Sequence, residues 1–516
     1  TFTPAVAPTV VNAGASSVRR RTACLSGQIT DPGDVTPPGV WFYYWPVAGG
    51  STPTLAMGQQ PGAFSTNAAG LAGDTAYQYR ILASNAAGPS WSGVAGFTTL
   101  PAGPIGWYAA TNGDGTAGTN WTTAMRTVYD ALATAESNDT VYLASHAFAV
   151  AGQAFGPSRQ FDWSVSHLTV EGGYAATNAL DTPGPRDSAR WPTTLTRTGQ
   201  PERIVFIHNC TNAVLRGVTV AGGLKYNTGG GLYVSNAASL TLDACRIVSN
   251  QVYNYDNWGQ AWGAGIFSVN STVTFTNSIL RFNTYANTPF AGRGGGAYIN
   301  GGSWTFTHSV VATNVVRGWY DNWCWGGGLF LEGGSHRLQN TLFANNCSAS
   351  YNGYGTYQYY GGGLYVNASL QMGLCTVAGS DGEGIRLAAG SLAMTNTIVW
   401  TNGMDITNAG SLTMAYSDVG AGNATGGVNC LSVDPIFLDR IHYHLASRTG
   451  CYTNGYFSGG TWVRAFITSP LIDAGDPASD YLYEPSPNGV RVNMGYDGNS
   501  PVASMQGRVG TVFVAH

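Results

Sequence analysis

From about residue 200, apolar and polar positions alternate in runs of only three to five residues, and the pattern repeats. The segment Gly229-Gly-Gly-Leu-Tyr-Val234 recurs as Gly263-Ala-Gly-Ile-Phe-Ser268, Gly294-Gly-Gly-Ala-Tyr-Ile299, Gly326-Gly-Gly-Leu-Phe-Leu331, Gly361-Gly-Gly-Leu-Tyr-Val366 and Gly382-Glu-Gly-Ile-Arg-Leu387, stepping by 34, 31, 32, 35 and 21 residues. A second short alternating run follows each, such as Leu240-Thr-Leu-Asp, Val273-Thr-Phe-Thr or Leu392-Ala-Met-Thr. A third closes on Asn, as in Arg246-Ile-Val-Ser-Asn250, Leu280-Arg-Phe-Asn283, Val311-Ala-Thr-Asn314, Leu342-Phe-Ala-Asn345 and Val399-Trp-Thr-Asn402. Alternation with period two means strands. Three strands per repeat, with Gly and Asn at the corners, predict a parallel β-helix in which neighbouring coils stack like on like. The glycines permit corner angles with positive φ, and the asparagines tolerate them and can ladder.

Upstream of the repeats, Met125, Val128, Leu132 and Ala135 recur at helical spacing between Trp121 and Glu136, with Thr122 or Thr123 as candidate caps. A short amphipathic helix there would cover the open first rung of the coil stack. Residues 1–101 read as a separate unit of short β-prone runs, followed by the linker Pro101-Ala-Gly-Pro104. Residues 105–200 then hold the N-terminal cap and first coils, 201–420 the regular coils, 421–505 a C-terminal cap and 506–516 a tail. In that tail, Gly510-Thr-Val-Phe-Val-Ala515 alternates like a spare strand available for exchange.

Two resemblances sharpen this. Leu71-Ala-Gly-Asp-Thr75-Ala-Tyr77-Gln-Tyr79 resembles the tyrosine-corner region of a fibronectin type III domain, which implies a β-sandwich with Tyr77 tying a crossover to its sheet. That family's early-strand tryptophan is replaced by Ala23-Cys24-Leu25. The glycine-aromatic strands with Asn-ended partners resemble secreted bacterial right-handed parallel β-helix repeat proteins of the polymorphic outer-membrane protein type. Val433-Asp-Pro-Ile-Phe437, His442-Tyr-His-Leu445, Ser469-Pro-Leu-Ile-Asp-Ala-Gly-Asp476 and Val492-Asn-Met-Gly-Tyr-Asp-Gly-Asn-Ser-Pro501 resemble the closing segment of that family, which implies a fold over the last coil. The fold expected is therefore all-β: a fibronectin-like sandwich, then a parallel β-helix.

Composition agrees. Of 516 residues, 71 are glycine and only 10% are charged, against roughly 25% in an average soluble domain. With 44% hydrophobic residues the chain is no disordered acidic or basic tail, and its glycine content excludes a helical bundle. Lys+Arg number 23 against 27 Asp+Glu, so a nucleic-acid partner is not expected. No apolar run is long enough for a membrane helix. The chain begins at Thr1 and has one lysine, Lys225, so a mature or processed fragment of a secreted or cell-surface protein is expected. Oxidising surroundings would allow disulfides between Cys324 and Cys347 and between Cys430 and Cys451; buried free thiols are the alternative.

The fold hosts lyases, hydrolases, adhesins and passive surface proteins, so only the side chains can decide. Lyase chemistry needs acids that gather a cation beside a base, and hydrolysis needs paired carboxylates. The eight acids of residues 221–420 are scattered about one per coil. Only Asp381-Gly-Glu383-Gly-Ile-Arg386 clusters, and it offers Asp381, Glu383 and Arg386 as weak catalytic candidates, with Ca2+ as the only conceivable cofactor and nothing to support it. His442 and His444 have i, i+2 spacing but lie in the capping motif, so no metal site is expected.

Three long aromatic connections lead back to the glycine runs: Tyr253, Tyr255, Asp256, Trp258 and Trp262; Trp319, Tyr320, Asp321, Trp323 and Trp325; Tyr351, Tyr354, Tyr357, Tyr359 and Tyr360. Stacking would align them along one edge of the rod. They suit a glycan platform, a protein interface, or a satellite core packed on itself. The function expected is an extracellular structural or adhesive rod that associates with itself or with surface glycans, head to tail through terminal strands or through the aromatic edge. A secreted polysaccharide lyase, a glycoside hydrolase or a non-catalytic glycan binder is the alternative.

Overall fold

The computed structural model describes residues 6–152, 160–177, 183–254, 260–286, 292–319, 324–351, 357–358, 360–420 and 427–506. The tail strand 510–515 lies outside them. The chain divides into two units, Thr1–Ile105 and Gly106–His516. Among the described residues no helix is long and apolar enough to cross a membrane.

The first unit is a sandwich of two antiparallel sheets. One comprises Thr9–Ser16, Thr22–Asp31 and Ala63–Ala69; the other comprises Gly39–Pro46, Thr54–Gln59, Ala76–Asn85, Gly88–Trp91 and Ala95–Thr98. Alternate residues point inward, so Leu25, Val40, Phe42, Tyr79 and Ile81 make a dry core. The Ala72 amide donates to the Tyr77 hydroxyl at 2.9 Å, so this tyrosine does bridge the crossover to its sheet.

The second unit is a parallel β-helix. Its coils begin at Gly106–Ala109, which pairs in parallel with Thr140–Ala144. Each coil contributes to three ladders. The first runs through Val205–His208, Leu232–Ser235, Ile266–Val269 and Ala297–Asn300 and on to 329–332, 364–367 and 385–387. The second includes Ala213–Arg216, Leu240–Asp243 and Thr272–Thr276, and the third Arg246–Val248, Ile279–Arg281 and Ile398–Trp400. Inward positions stack by type: Ile247, Leu280, Val311, Phe343, Val377, Val399 and Val419 form one file. Corners turn on left-handed residues. Gly326 has φ +65°, and a Cβ there would meet Leu329 O at 2.5 Å. At Gly296 the constraint is the neighbouring coil, because a Cβ would lie 2.5 Å from Gly328 O.

At the third corner the left-handed residue is the one before the expected asparagine in three coils, where Ser249, Phe282 and Thr313 have φ of 56°, 57° and 56°, and in the next coil it is the expected Asn345 itself, at 54°. The asparagines that follow, Asn250, Asn283, Asn314 and Asn346, are buried and form the ladder.

One expectation is corrected and another is extended. The helix spans only Val128–Thr134, capped by Thr127, whose side chain accepts from the Asp130 amide. Residues before it serve the open strand edge instead: Met125 N donates to Tyr108 O and Ala110 N donates to Met125 O. The helix still packs against the first coils through Val128, Ala131 and Leu132. The C-terminal segment begins by extending the last coil, with Val428 bridged to Ala415 and Leu431 to Asp418. It then packs on the outer face of the third ladder, on the last coils at Ile398, Trp400 and Tyr416 and back along earlier ones. Tyr443 and Tyr496 pack on Val310, Ala312, Leu342, Ala344 and Ala378. Asn340 Nδ2 donates to Tyr496 O and Gly498 O at 3.0 and 2.7 Å, and Tyr443 OH donates to Asn345 Oδ1 at 2.8 Å. Where this segment lies on them, strands such as Val310-Val-Ala312 and Leu342-Phe-Ala344 are apolar on both faces because both are covered.

Candidate functional site

The connections between the third ladder and the glycine runs begin as strands, where the sequence suggested loops. Leu224–Tyr226, Gln251–Tyr253, Thr284–Ala286, Val315–Trp319 and Cys347–Tyr351 pair in parallel as a lateral ladder, to which Tyr357–Gln358 adds an antiparallel edge. The returning strands Ala261–Trp262, Gly292–Arg293 and Cys324–Trp325 form another. Between them lies a satellite core of Val252, Ala261, Ala264, Tyr285, Val316 and Cys324. The Tyr285 hydroxyl sits inside it, accepting from Arg293 N and donating to Ala261 O at 2.8 Å. The connections therefore make an arm with its own interior.

Beneath the arm, the outward positions of the first ladder form a row of rings: Tyr233, Phe267, Tyr298, Phe330 and Tyr365. Successive centroids are 4.8, 5.3, 5.3 and 4.6 Å apart, close to the spacing of paired strands. Sequence reasoning did not single these residues out as a unit. The signal was the aromatic at a fixed offset after every glycine run.

The predicted site residues divide accordingly. Trp262 stacks over Phe267 and Tyr298 at 6.1 and 5.9 Å. Trp325 lies over Phe330 and Tyr365 at 6.4 and 6.0 Å. Both are half-buried and roof the ring row, so much of their surface is committed to packing. Tyr253 packs edge-on against Tyr226, and Tyr360 lies under the Arg386 guanidinium, 4.8 Å from its ring centroid. Trp319 and Tyr351 end lateral strands, and Tyr357 pairs with Tyr351 through the backbone. Tyr255, Asp256, Trp258, Tyr320, Asp321, Trp323, Tyr354 and Tyr359 lie outside the described residues.

Charges along this face are paired. Arg293 lies 3.6 Å from Glu332 and 4.8 Å from the Trp325 centroid, while Tyr298 OH donates to Glu332. Burial, reinforced by that carboxylate, raises the Tyr298 hydroxyl pKa. At one end Arg203 is held by Gly229 O and Thr228 O, each at 2.8 Å, beneath the Tyr233 ring; burial brings its guanidinium down to about 10.

Of the catalytic candidates, Glu383 and Arg386 pair at 2.7 Å, and the other Glu383 oxygen accepts from Gly361 N at 2.8 Å. Glu383 is buried and holds a glycine corner. Asp381 is exposed and bridges to Cys347 across the end of the lateral ladder, where its carboxylate helps push the buried Cys347 thiol up to about 12, after burial itself. The stretch thus supplies a paired structural acid and a separate exposed one. His444 is buried between Asp497, 2.9 Å from Nδ1, and Gly455 O, 2.8 Å from Nε2. Among the described residues no three His, Cys, Asp or Glu side chains converge as a metal site. All eight cysteines are free, so neither the Cys324–Cys347 nor the Cys430–Cys451 disulfide is present. Cys324 instead sits in the apolar interior of the arm, and Cys347 is buried beside Asp381.

No family model matches the chain, and no curated protein does. Among solved structures, it is similar to the sensor domain of the anti-sigma factor RsgI4 of Pseudobacteroides cellulosolvens, with 18% identity, 20% of this chain and 99% of that chain covered, and a TM-score of 0.16. A myokine structure shows 17% identity, 19% and 99% coverage, and a TM-score of 0.16.

Proposed function

We propose that this chain is an extracellular structural and adhesive rod of the secreted β-helix repeat type, led by a fibronectin type III-like module, which associates with further copies of itself through the aromatic edge of its arm. The observation that supports this is the lateral ladder. Its strands are in register from coil to coil, at the strand spacing of about 4.8 Å, so the strand ends that lead into the aromatic segments, Tyr253, Trp319 and Tyr351, are two coils and then one coil apart. A stiff column with such a periodic edge offers a long, repetitive surface for another copy rather than a single reaction centre. The pairing of Glu383, Glu332 and Glu202 with Arg386, Arg293 and Lys225 fits a structural role for these acids.

Sedimentation velocity and electron microscopy of the full chain test the proposal. Concentration-dependent assemblies or filaments are expected, weakened by Trp258→Ala or Trp323→Ala. A monodisperse monomer at high concentration would overturn it. So would release of unsaturated or new reducing ends from acidic glycans that is lost in Glu383→Gln.

A further inference from the structure

A second surface, on the third ladder rather than on the arm, has the chemistry of a binding site. Where the C-terminal segment lies back along the coils it leaves a groove of about 630 Å3, walled by Arg246, Arg281 and His308 on the coil side and by His442, Tyr456 and Phe457 on the other. That volume suits a short oligomer. Arg246 and Arg281 are diagonal neighbours on adjacent coils, since Arg246 pairs with Ile279 and Arg281 with Val248. Neither guanidinium has a carboxylate partner among the described residues, in a chain where only 10% of residues are charged. Arg281 lies against the Phe282 and Tyr456 rings, 4.5 and 5.7 Å from their centroids. Its Nε and the Tyr456 hydroxyl are both buried without any hydrogen-bond partner. A buried donor is costly to leave unsatisfied unless something accepts from it. Nearby acids are already engaged: Asp439 binds the Ile441 and His442 amides and the His442 ring, and Asp243 binds Arg216 and Asn277.

We propose that this groove binds an acidic oligosaccharide, the paired guanidiniums taking a uronate carboxylate or a sulfate and the Tyr456 and Phe457 rings packing against sugar faces. Planar guanidinium forks match carboxylate and sulfate oxygens, aromatic faces match pyranose C–H surfaces, and Asn277, Asn454 and Ser458 at the rim supply partners for hydroxyls.

Calorimetric titration of the full chain with an oligogalacturonate tetramer, a sulfated heparin-derived tetrasaccharide and neutral cellotetraose tests this. Binding of one or both acidic probes, but not of cellotetraose, is expected, and the probe that binds identifies the anion. Arg281→Gln and Arg246→Gln should each weaken binding at least tenfold. Arg246 is exposed, so its variant is expected to keep the parent's melting temperature and separates loss of the site from loss of the fold. No heat with either acidic probe at millimolar concentration, equal binding of cellotetraose, or binding unchanged in Arg246→Gln would overturn the proposal. Self-association through the arm could fail without touching any of these outcomes.

Discussion

Asn283 and Asn314, one coil apart, are joined inside the rod by a hydrogen bond from Asn283 Nδ2 to Asn314 Oδ1 at 2.9 Å. The same Nδ2 donates to Ile247 O, and Asn283 Oδ1 accepts from both the amide and the side chain of Asn250. Every polar atom of this buried side chain is thus used, and Asn314 repeats the arrangement toward Asn346. Removing one member leaves several buried backbone and amide groups unpaired. Asn283→Leu is expected to lower stability by about 3 kcal/mol or more in urea unfolding. Asn283→Asp should be at least as damaging, because it keeps the acceptor but sets a charge against Asn314 Oδ1.

The thiols give a second prediction. Cys210, Cys245, Cys324, Cys347, Cys375 and Cys451 are buried, and burial pushes Cys245, Cys324, Cys347 and Cys375 up to about 12. Thiolate is the reactive form. Under native conditions at pH 8, a chromogenic disulfide reagent should modify at most Cys24 and Cys430, and it should modify all eight cysteines after denaturation without reductant. Fewer than eight would mean that a disulfide exists.

The glycine runs and three-strand coils were legible in the sequence because corner and strand chemistry recur at one spacing. The position of the C-terminal segment was not, although its trace was present. Val310-Val-Ala312, Leu342-Phe-Ala344 and Ile398-Val-Trp400 are apolar on both faces, which an uncovered outer face would not favour. The arm was read as loops because strands as short as Gln251–Tyr253 and Ala261–Trp262 carry too little alternation to stand out. Trp262 and Trp325 were found as site residues for their composition, yet their place over the ring row depends on pairing between coils, which a single sequence does not display.

Asp418 predicts a pH effect. It is fully buried on the last coil, with Oδ1 accepting from Val433 N and Oδ2 unpartnered. Burial first, then Asp405 and Asp434, raises its pKa to about 7. A raised carboxyl pKa means that the folded state holds the proton longer than the unfolded chain. Its contribution is therefore fully present below about pH 4 and is lost as pH rises through about 7. At about 1.4 kcal/mol per unit of displacement, Asp418→Asn should stabilise the protein by roughly 2–4 kcal/mol at pH 8 and hardly at all at pH 4. Glu484, also raised to about 7 chiefly by burial and with one oxygen unpartnered, should reinforce the trend. Melting curves of the parent, Asp418→Asn and Asp418→Asn/Glu484→Gln between pH 4 and 8 check it: the double variant should show the flattest profile.

Ala244 turns the corner between the second and third ladders at φ +51°, where the next coil has Asn277 at +50°. Alanine pays a steric cost of about 1 kcal/mol there that asparagine largely avoids. Ala244→Asn is expected to raise stability by about 0.5–1 kcal/mol, seen as a higher urea midpoint with unchanged m. A lower midpoint would show that crowding beside Ser188 and Asn277 outweighs the backbone gain.

The arm can be separated from the rod by its tryptophans. Trp325 covers Phe330 and Tyr365 and takes the Arg293 guanidinium on its face, so truncating it opens the ring row to water. Trp325→Ala should cost about 2–3 kcal/mol, in line with removal of a half-buried aromatic. Arg293→Lys keeps the charge beside Glu332 but loses the flat stacking group, and should cost about 0.5–1 kcal/mol. Neither variant alters Trp258 or Trp323. If the arm is the adhesive edge, both variants should still assemble wherever they remain folded, whereas Trp258→Ala and Trp323→Ala should weaken assembly at unchanged melting temperature. Parallel loss of assembly and stability across all four variants would instead mean that the aromatic segments serve only to hold the arm together.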